Sequence, residues 1–248
     1  MDRQPRESKV PILRRKILVI GHRGAAAYAP ENTLLSFQTA IEMGADMVEL
    51  DVRETADGEL VCIHDRDLTR LCECDGLISE MDFDEIAAFD LGSGQHVPLL
   101  RDVLSHVRGK AGVNVEIKVP GIESRLAHII DDLKMSSEVV VSSFIHETLL
   151  RFREMDRRTR TGMLFKEPMD DVLSYVRDMD VASLHPLFFI IDEDFVEKAH
   201  NADLLVYPWT VNDKDMMLEL LGIGVDGIIT DYPDIAVEVR RHFKLRKE

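Results

Sequence analysis

A chain of 248 residues with a formal net charge of −16 lacks the excess of Lys and Arg that replaces counterions on nucleic acid, which excludes nonspecific nucleic-acid binding and points to a small-molecule partner. The length suits one (β/α)₈ barrel, and no linker divides it, so residues 1–248 are expected to form a single domain. After a polar, basic start the apolar run Ile17 to Ile20 is too short for a signal-peptide core or a membrane span, so a cytoplasmic protein without stable membrane insertion is expected.

Taken in chain order, strand-like runs fall near residues 17–21, 46–53, 60–63, 113–119, 138–143, 160–164, 181–184, 204–209 and 226–230, with amphipathic stretches between most of them. The first run ends at His22-Arg23-Gly24, where glycine lets the chain turn sharply away from the strand. Pro30-Glu31-Asn32-Thr33 then reads as a helix start capped by Asn32 or Thr33, with Glu31 free to orient His22 or Arg23 instead. In the second run Val48, Leu50 and Val52 share one face, while Glu49 and Asp51 share the other with Met47.

Thr55-Ala56-Asp57-Gly58 leaves no room for a helix, so the second and third runs should form an antiparallel hairpin. Pairing Glu54 with Glu59 would set Asp51 opposite Cys62 and Glu49 opposite His64, at the third run's end. The other eight runs make a parallel (β/α)₈ TIM barrel, whose functional side chains gather where strands end. An insertion of about 65–112 precedes the next barrel strand, with helix-like stretches around Phe83 to Phe89 and Pro98 to Val107. Leu91-Gly92-Ser93-Gly94 lacks the lysine and serine of a phosphate-binding loop and reads as a connection. In the run that follows, Asn114, Glu116 and Lys118 share the face opposite Val113, Val115, Ile117 and Val119.

Inside a barrel covered by helices, these polar faces point inward. Residues two apart on a strand lie roughly 6.6 Å apart, so Glu49 and Asp51 can reach one ion, with Glu116 as a third ligand. Three carboxylates suit a hard divalent cation, Mg²⁺ first and Ca²⁺ as the alternative. The competing reading is an inward salt-bridge network of Glu116, Lys118 and Arg23. Charge counting favours an ion: the three acids with Arg23 and Lys118 leave the site at −1, which repels a phosphodiester, and a divalent cation reverses the sign. Arg23 offers a planar fork and Lys118 a point charge to phosphate oxygens.

His22 and His64 each close an apolar run, and imidazole can give or take a proton near neutral pH; either could also ligate a metal. The other seven histidines are read as structural or surface residues. Trp209, the single tryptophan, ends its run and could form an apolar wall for a glycerol backbone or headgroup, or pack in the core. Cys62, Cys72 and Cys74 cannot all pair within one chain and are expected to be free thiols.

At these positions the chain resembles the glycerophosphodiester phosphodiesterase family. The resemblance runs through His22-Arg23-Gly24, Pro30-Glu31-Asn32-Thr33, Gly44-Ala45-Asp46, Glu49-Leu50-Asp51-Val52, His64-Asp65, Arg70, Glu116-Ile117-Lys118, Trp209-Thr210 and Asp226-Gly227, in order. It implies metal-dependent hydrolysis of a glycerophosphodiester to glycerol 3-phosphate and an alcohol. By position it makes His22 and His64 the acid–base pair, Glu49, Asp51 and Glu116 the metal ligands, and Arg23 and Lys118 the phosphate contacts. Leu71-Cys72 replaces the threonine pair common after the arginine, and the insertion is short, both near the substrate entrance. The competing expectations are a lysophospholipase D, a non-catalytic phosphodiester-binding barrel and an inositol-phospholipid phospholipase C. The first lacks a clear interfacial helix in the sequence, and the last fits the Glu116-Ile117-Lys118 run less well.

Overall fold

The computed structural model describes residues 16–72, 75–169 and 171–245. Cys74 and the first fifteen residues lie outside them. The elements run β1 (Leu18–Gly21), α1 (Leu34–Glu42), β2 (Met47–Glu54), β3 (Leu60–Cys62), α2 (Thr69–Cys72), α3 (Phe83–Ala87), α4 (Leu100–Val107) and β4 (Gly112–Ile117). They continue with α5 (Glu123–Asp132), β5 (Val139–Ser143), α6 (His146–Met155), β6 (Arg160–Phe165), α7 (Val172–Val176), β7 (Ser183–Pro186), α8 (Glu193–Asn201), β8 (Leu205–Val206), α9 (Lys214–Ile223), β9 (Gly227–Thr230) and α10 (Pro233–Leu245). The strand order is β8-β7-β6-β5-β4-β2-β1-β9, all parallel, with β3 antiparallel on β2. Asp226 N donates to Val206 O at 3.0 Å and Ile229 N to Pro208 O at 3.0 Å, which joins the two ends of the sheet into a barrel.

The alternation in the sequence sorts side chains into two layers. Val48, Leu50, Val52, Val113, Val115 and Ile117 pack outward with the helices, including Leu100, Val103, Leu104 and Val107 of α4 at helical spacing. Ile20, Met47, Val140, Tyr207 and Ile229 form a separate apolar cluster inside the barrel. Between β3 and α4 the chain builds a small core of its own, where Val61, Ile63, Leu68, Ile78, Ile86 and Val97 are buried.

The hairpin register differs from the expected one by one residue. Glu54 lies opposite Leu60 and Val52 opposite Cys62, because Thr55 N bonds Glu59 O at 3.0 Å and closes the turn over residues 56–58. Asp51 therefore faces Ile63, whose N–H reaches Asp51 O at 3.0 Å, and His64 lies beyond the pairing. The even parity keeps Val52, Leu60 and Cys62 together in the main core. Cys62 is a buried free thiol, and the Cys72 thiol donates to Leu68 O at 3.5 Å. Among the described residues no helix is long and apolar enough to cross a membrane.

Candidate active site

Parallel register puts Glu49 beside Asn114, and Asp51 beside Glu116, on adjacent strands at the C-terminal end of the barrel. Glu49, Asp51 and Glu116 are 4%, 1% and 8% exposed, so all three carboxylates are shut off from bulk water. Each offers an oxygen within 4.8 Å of the others, a spacing one metal ion could bridge. Burial, then the charges of Asp51 and Glu116, push Glu49 well above the usual carboxylate range. Burial and Asp51 likewise push Glu116 up to about 7, against the pull of Lys118. Burial would raise Asp51 too, but Lys118 and Arg23 outweigh it and hold this carboxyl low.

The two cations therefore serve one acid better than the others. Lys118 Nζ lies 2.7 Å from Glu116 and 3.3 Å from Asp51, and Arg23 Nε lies 3.3 Å from Asp51, in ion-pair range but not aligned for a hydrogen bond. Among the described residues no cationic side chain lies within ion-pair range of Glu49, which instead accepts the Arg23 backbone N–H at 2.8 Å. The salt-bridge network is thus present, and its two cations leave one of the three carboxylates without a counter-charge.

A kinked loop after β1 holds this arrangement. Arg23 adopts φ 51°, and Gly24 follows at φ 87°, where an added Cβ would lie 2.4 Å from Ser36 Oγ. Asn32 and Thr33 divide the work that the sequence left open between them. Thr33 caps α1, accepting Ser36 N at 3.2 Å, while buried Asn32 donates from its amide to Asp51 at 2.9 Å and accepts Asp51 N at 3.1 Å. Glu31 holds Arg23 at 2.9 Å and Arg70 at 2.7 Å, so of its two expected partners it takes the arginine.

Each candidate histidine is tied at Nδ1 by a carboxylate. His22 Nδ1 lies 2.7 Å from Asp231, whose other oxygen accepts from Asn212 Nδ2 at 2.6 Å. His64 Nδ1 lies 2.7 Å from Asp65, which Arg70 Nε holds at 2.6 Å. A carboxylate at Nδ1 fixes that nitrogen as the N–H and leaves Nε2 as the exchangeable position. Burial is the main influence on His64 and lowers its pKa, favouring the neutral ring.

His22, Arg23, Glu49, His64, Glu116 and Lys118 line one pocket, whose remaining wall is Asn114, Phe144, Leu164, Trp209 and Ile229. Trp209 Nε1 donates to His185 O at 2.8 Å, and its ring meets Phe144 edge to face at 5.3 Å. The tryptophan is thus both packed and part of the wall. Asp231, Asn212, Asn32 and Arg70 are neighbours that the side-chain pattern had not placed at the site, whereas Asp65 follows His64 at the same strand end. Asp231 directly follows the last strand run, so the rule that singled out His22 and His64 also reaches it; Asn32 and Asn212 carry no such signal.

The residues from 22 to 235 match the glycerophosphoryl diester phosphodiesterase family. The chain is 36% identical over 239 residues to a glycerophosphodiester phosphodiesterase from Caldanaerobacter subterraneus, covering 91% of this chain and 98% of that one. It also resembles the crystal structure of an Agrobacterium tumefaciens glycerophosphodiester phosphodiesterase, with TM-score 0.80, 28% identity and coverage of 90% and 99%. An Oleispira antarctica phosphodiesterase in complex with sn-glycerol-3-phosphate matches with TM-score 0.83, 28% identity and coverage of 90% and 96%. The barrel, its acidic cluster and these similarities together establish that this chain belongs to the glycerophosphoryl diester phosphodiesterase family.

Proposed function

We propose that the protein hydrolyses a soluble glycerophosphodiester to glycerol 3-phosphate and an alcohol, using a divalent cation and the pair His22 and His64. The observation that carries this reading is three buried carboxylates within 4.8 Å of one another, two of which, Glu49 and Glu116, line a pocket with both histidines. The residues fit a cation: Glu49 and Glu116 are held well above their ordinary pKa by burial and mutual repulsion, a strain that added positive charge relieves. All three donors are hard oxygens, so Mg²⁺ or Ca²⁺ would be held by Glu49, Asp51 and Glu116. When bound, the cation supplies Lewis-acid polarisation of a phosphoryl oxygen.

The remaining chemistry belongs to side chains. Arg23 and Lys118 draw the phosphodiester in and hold its oxygens. One histidine Nε2 takes the proton from the attacking hydroxyl, of water or of the neighbouring glycerol carbon; where the glycerol hydroxyl attacks, the cyclic phosphate it forms is then opened by water to give glycerol 3-phosphate. The other gives a proton to the departing alcohol oxygen as the P–O bond breaks. Asp231 and Asp65 keep each ring in the required tautomer and stabilise it when charged. Phe144, Leu164 and Trp209 bound the pocket on the side opposite the charges. The protein acts on a small molecule in the cytoplasm and needs no nucleic acid.

Glycerol 3-phosphate release from a panel of glycerophosphodiesters, by metal-stripped protein with Mg²⁺, Ca²⁺ or chelator added back, tests the reading. Release restored by either ion supports it; folded protein that releases none with any ion refutes it.

A second reading, lysophospholipase D, is favoured by one feature. Phe144, Ile145 and Phe189 are 38%, 38% and 68% exposed, and Phe189 with Leu187, Ile190 and Ile191 lines a cleft at the ends of β6 and β7. Preference for mixed micelles of lysophospholipid over soluble glycerophosphocholine would select it.

A further inference from the structure

Asn114 is 1% exposed and lines the candidate active-site pocket, yet neither its amide nitrogen nor its carbonyl oxygen has a hydrogen-bond partner among the described residues. A buried amide without partners is destabilising, and native proteins rarely keep one without a ligand to satisfy it. The position is also specific. Asn114 pairs in register with Glu49 on the neighbouring strand and lies two residues before Glu116, on the same inward face of β4. Leucine, with the same branching but greater bulk, would extend the apolar surface of Val140 and Ile229 inside the barrel.

The side chain is one carbon shorter than that of Glu49 at the same level of the sheet, so it reaches less far from its strand than the carboxylate beside it. A water molecule spans such a gap, and a water polarised by a cation is a strong hydrogen-bond donor to an amide carbonyl. We propose that Asn114 is a positioning residue for the divalent cation, its side-chain carbonyl accepting a hydrogen bond from a water of the cation's hydration shell on the pocket floor. This inference rests on the cation reading above. It adds a neutral group that supports the ion without adding to the negative charge already concentrated there.

Partners of this kind contribute about 10- to 100-fold to metal affinity. Calorimetric titration of metal-stripped protein with Mg²⁺ and with Ca²⁺, beside thermal melting without cation, tests the assignment in Asn114→Leu and Asn114→Ala. The expected result is a 10- to 100-fold loss of cation affinity in both variants, with cation-free Asn114→Leu melting no lower than the wild type. Those opposed outcomes separate the proposal from a structural role, which would lower the melting temperature and leave affinity intact. Wild-type affinity in either folded variant overturns the proposal, including the case where only leucine weakens binding through its bulk. A wild-type protein that binds neither ion would instead overturn the cation reading itself.

Discussion

One register row crosses half the barrel, from Asp51 through Glu116, Ser142 and Gly162 to Ser183, and its two ends do different work. On β2 and β4 the inward positions are acids. On β5 to β7 they are small or neutral, and the space over Gly162 is filled by His185, whose Nε2 would lie 2.4 Å from an added Cβ. Burial is nearly complete at both ends, since Asp51 and Ser183 are each 1% exposed. The same fold therefore charges one side of its pocket and shapes the other. The charged side carries repulsion between buried carboxylates, and the neutral side carries none.

The acids themselves divide along the same line. Asp51 is held by Lys118, Arg23 and Asn32, whereas Glu49 has only a backbone N–H and its like-charged neighbours. Asp51→Asn removes the carboxylate that Lys118 and Arg23 share, leaving Lys118 to Glu116 and Arg23 to Glu31, and should destabilise the protein by about 1–3 kcal/mol, the cost of weakening charged hydrogen-bonded partners. Glu49→Gln removes a charge that burial disfavours, so the cation-free protein should melt higher at pH 8, while cation binding is lost. Melting both variants in chelator checks the contrast; equal shifts would erase it.

At the next level of effect, His22→Ala and His64→Ala should each slow turnover about 10²- to 10⁴-fold with folding retained. Asp231→Asn, which lets the His22 ring change tautomer, should lower kcat by less than His22→Ala and leave KM nearly unchanged. Near-normal rates in both histidine variants would remove the acid–base assignment.

A smaller, pH-dependent difference follows from Glu116, whose pKa rises from the ordinary 4.5 to about 7 through burial and Asp51. A raised pKa means that stability is fully present below about 4.5 and is lost as pH climbs through about 7. The cation-free protein should therefore lose stability across that window. Cation affinity should rise across it, because the ion displaces the proton. Titrations at pH 6 and pH 8 that give the same affinity would contradict this.

On the neutral side, Gly162→Ala forces a methyl group against the His185 ring and should cost about 1–3 kcal/mol, with cation affinity unchanged. A weakened cation site in this variant would show that the two sides are not independent.

Strand alternation and strand ends determined most of this from the sequence alone. A side chain's face on a strand follows from parity, so Glu49, Asp51, Asn114, Glu116 and Lys118 could be assigned inward, and eight parallel strands with one antiparallel addition followed from run spacing and one turn. The tertiary structure decided what depends on contacts distant in sequence. Asp231 meets His22 across 209 residues, and Asn32 meets Asp51 because the loop after β1 bends through positive φ angles at Arg23, Gly24 and Asn32. The hairpin register moved by one residue because it buries Val52, Leu60 and Cys62 together in the main core. Parity is local and can be read from a few residues; the partners that tune a buried charge are set by how the whole barrel closes.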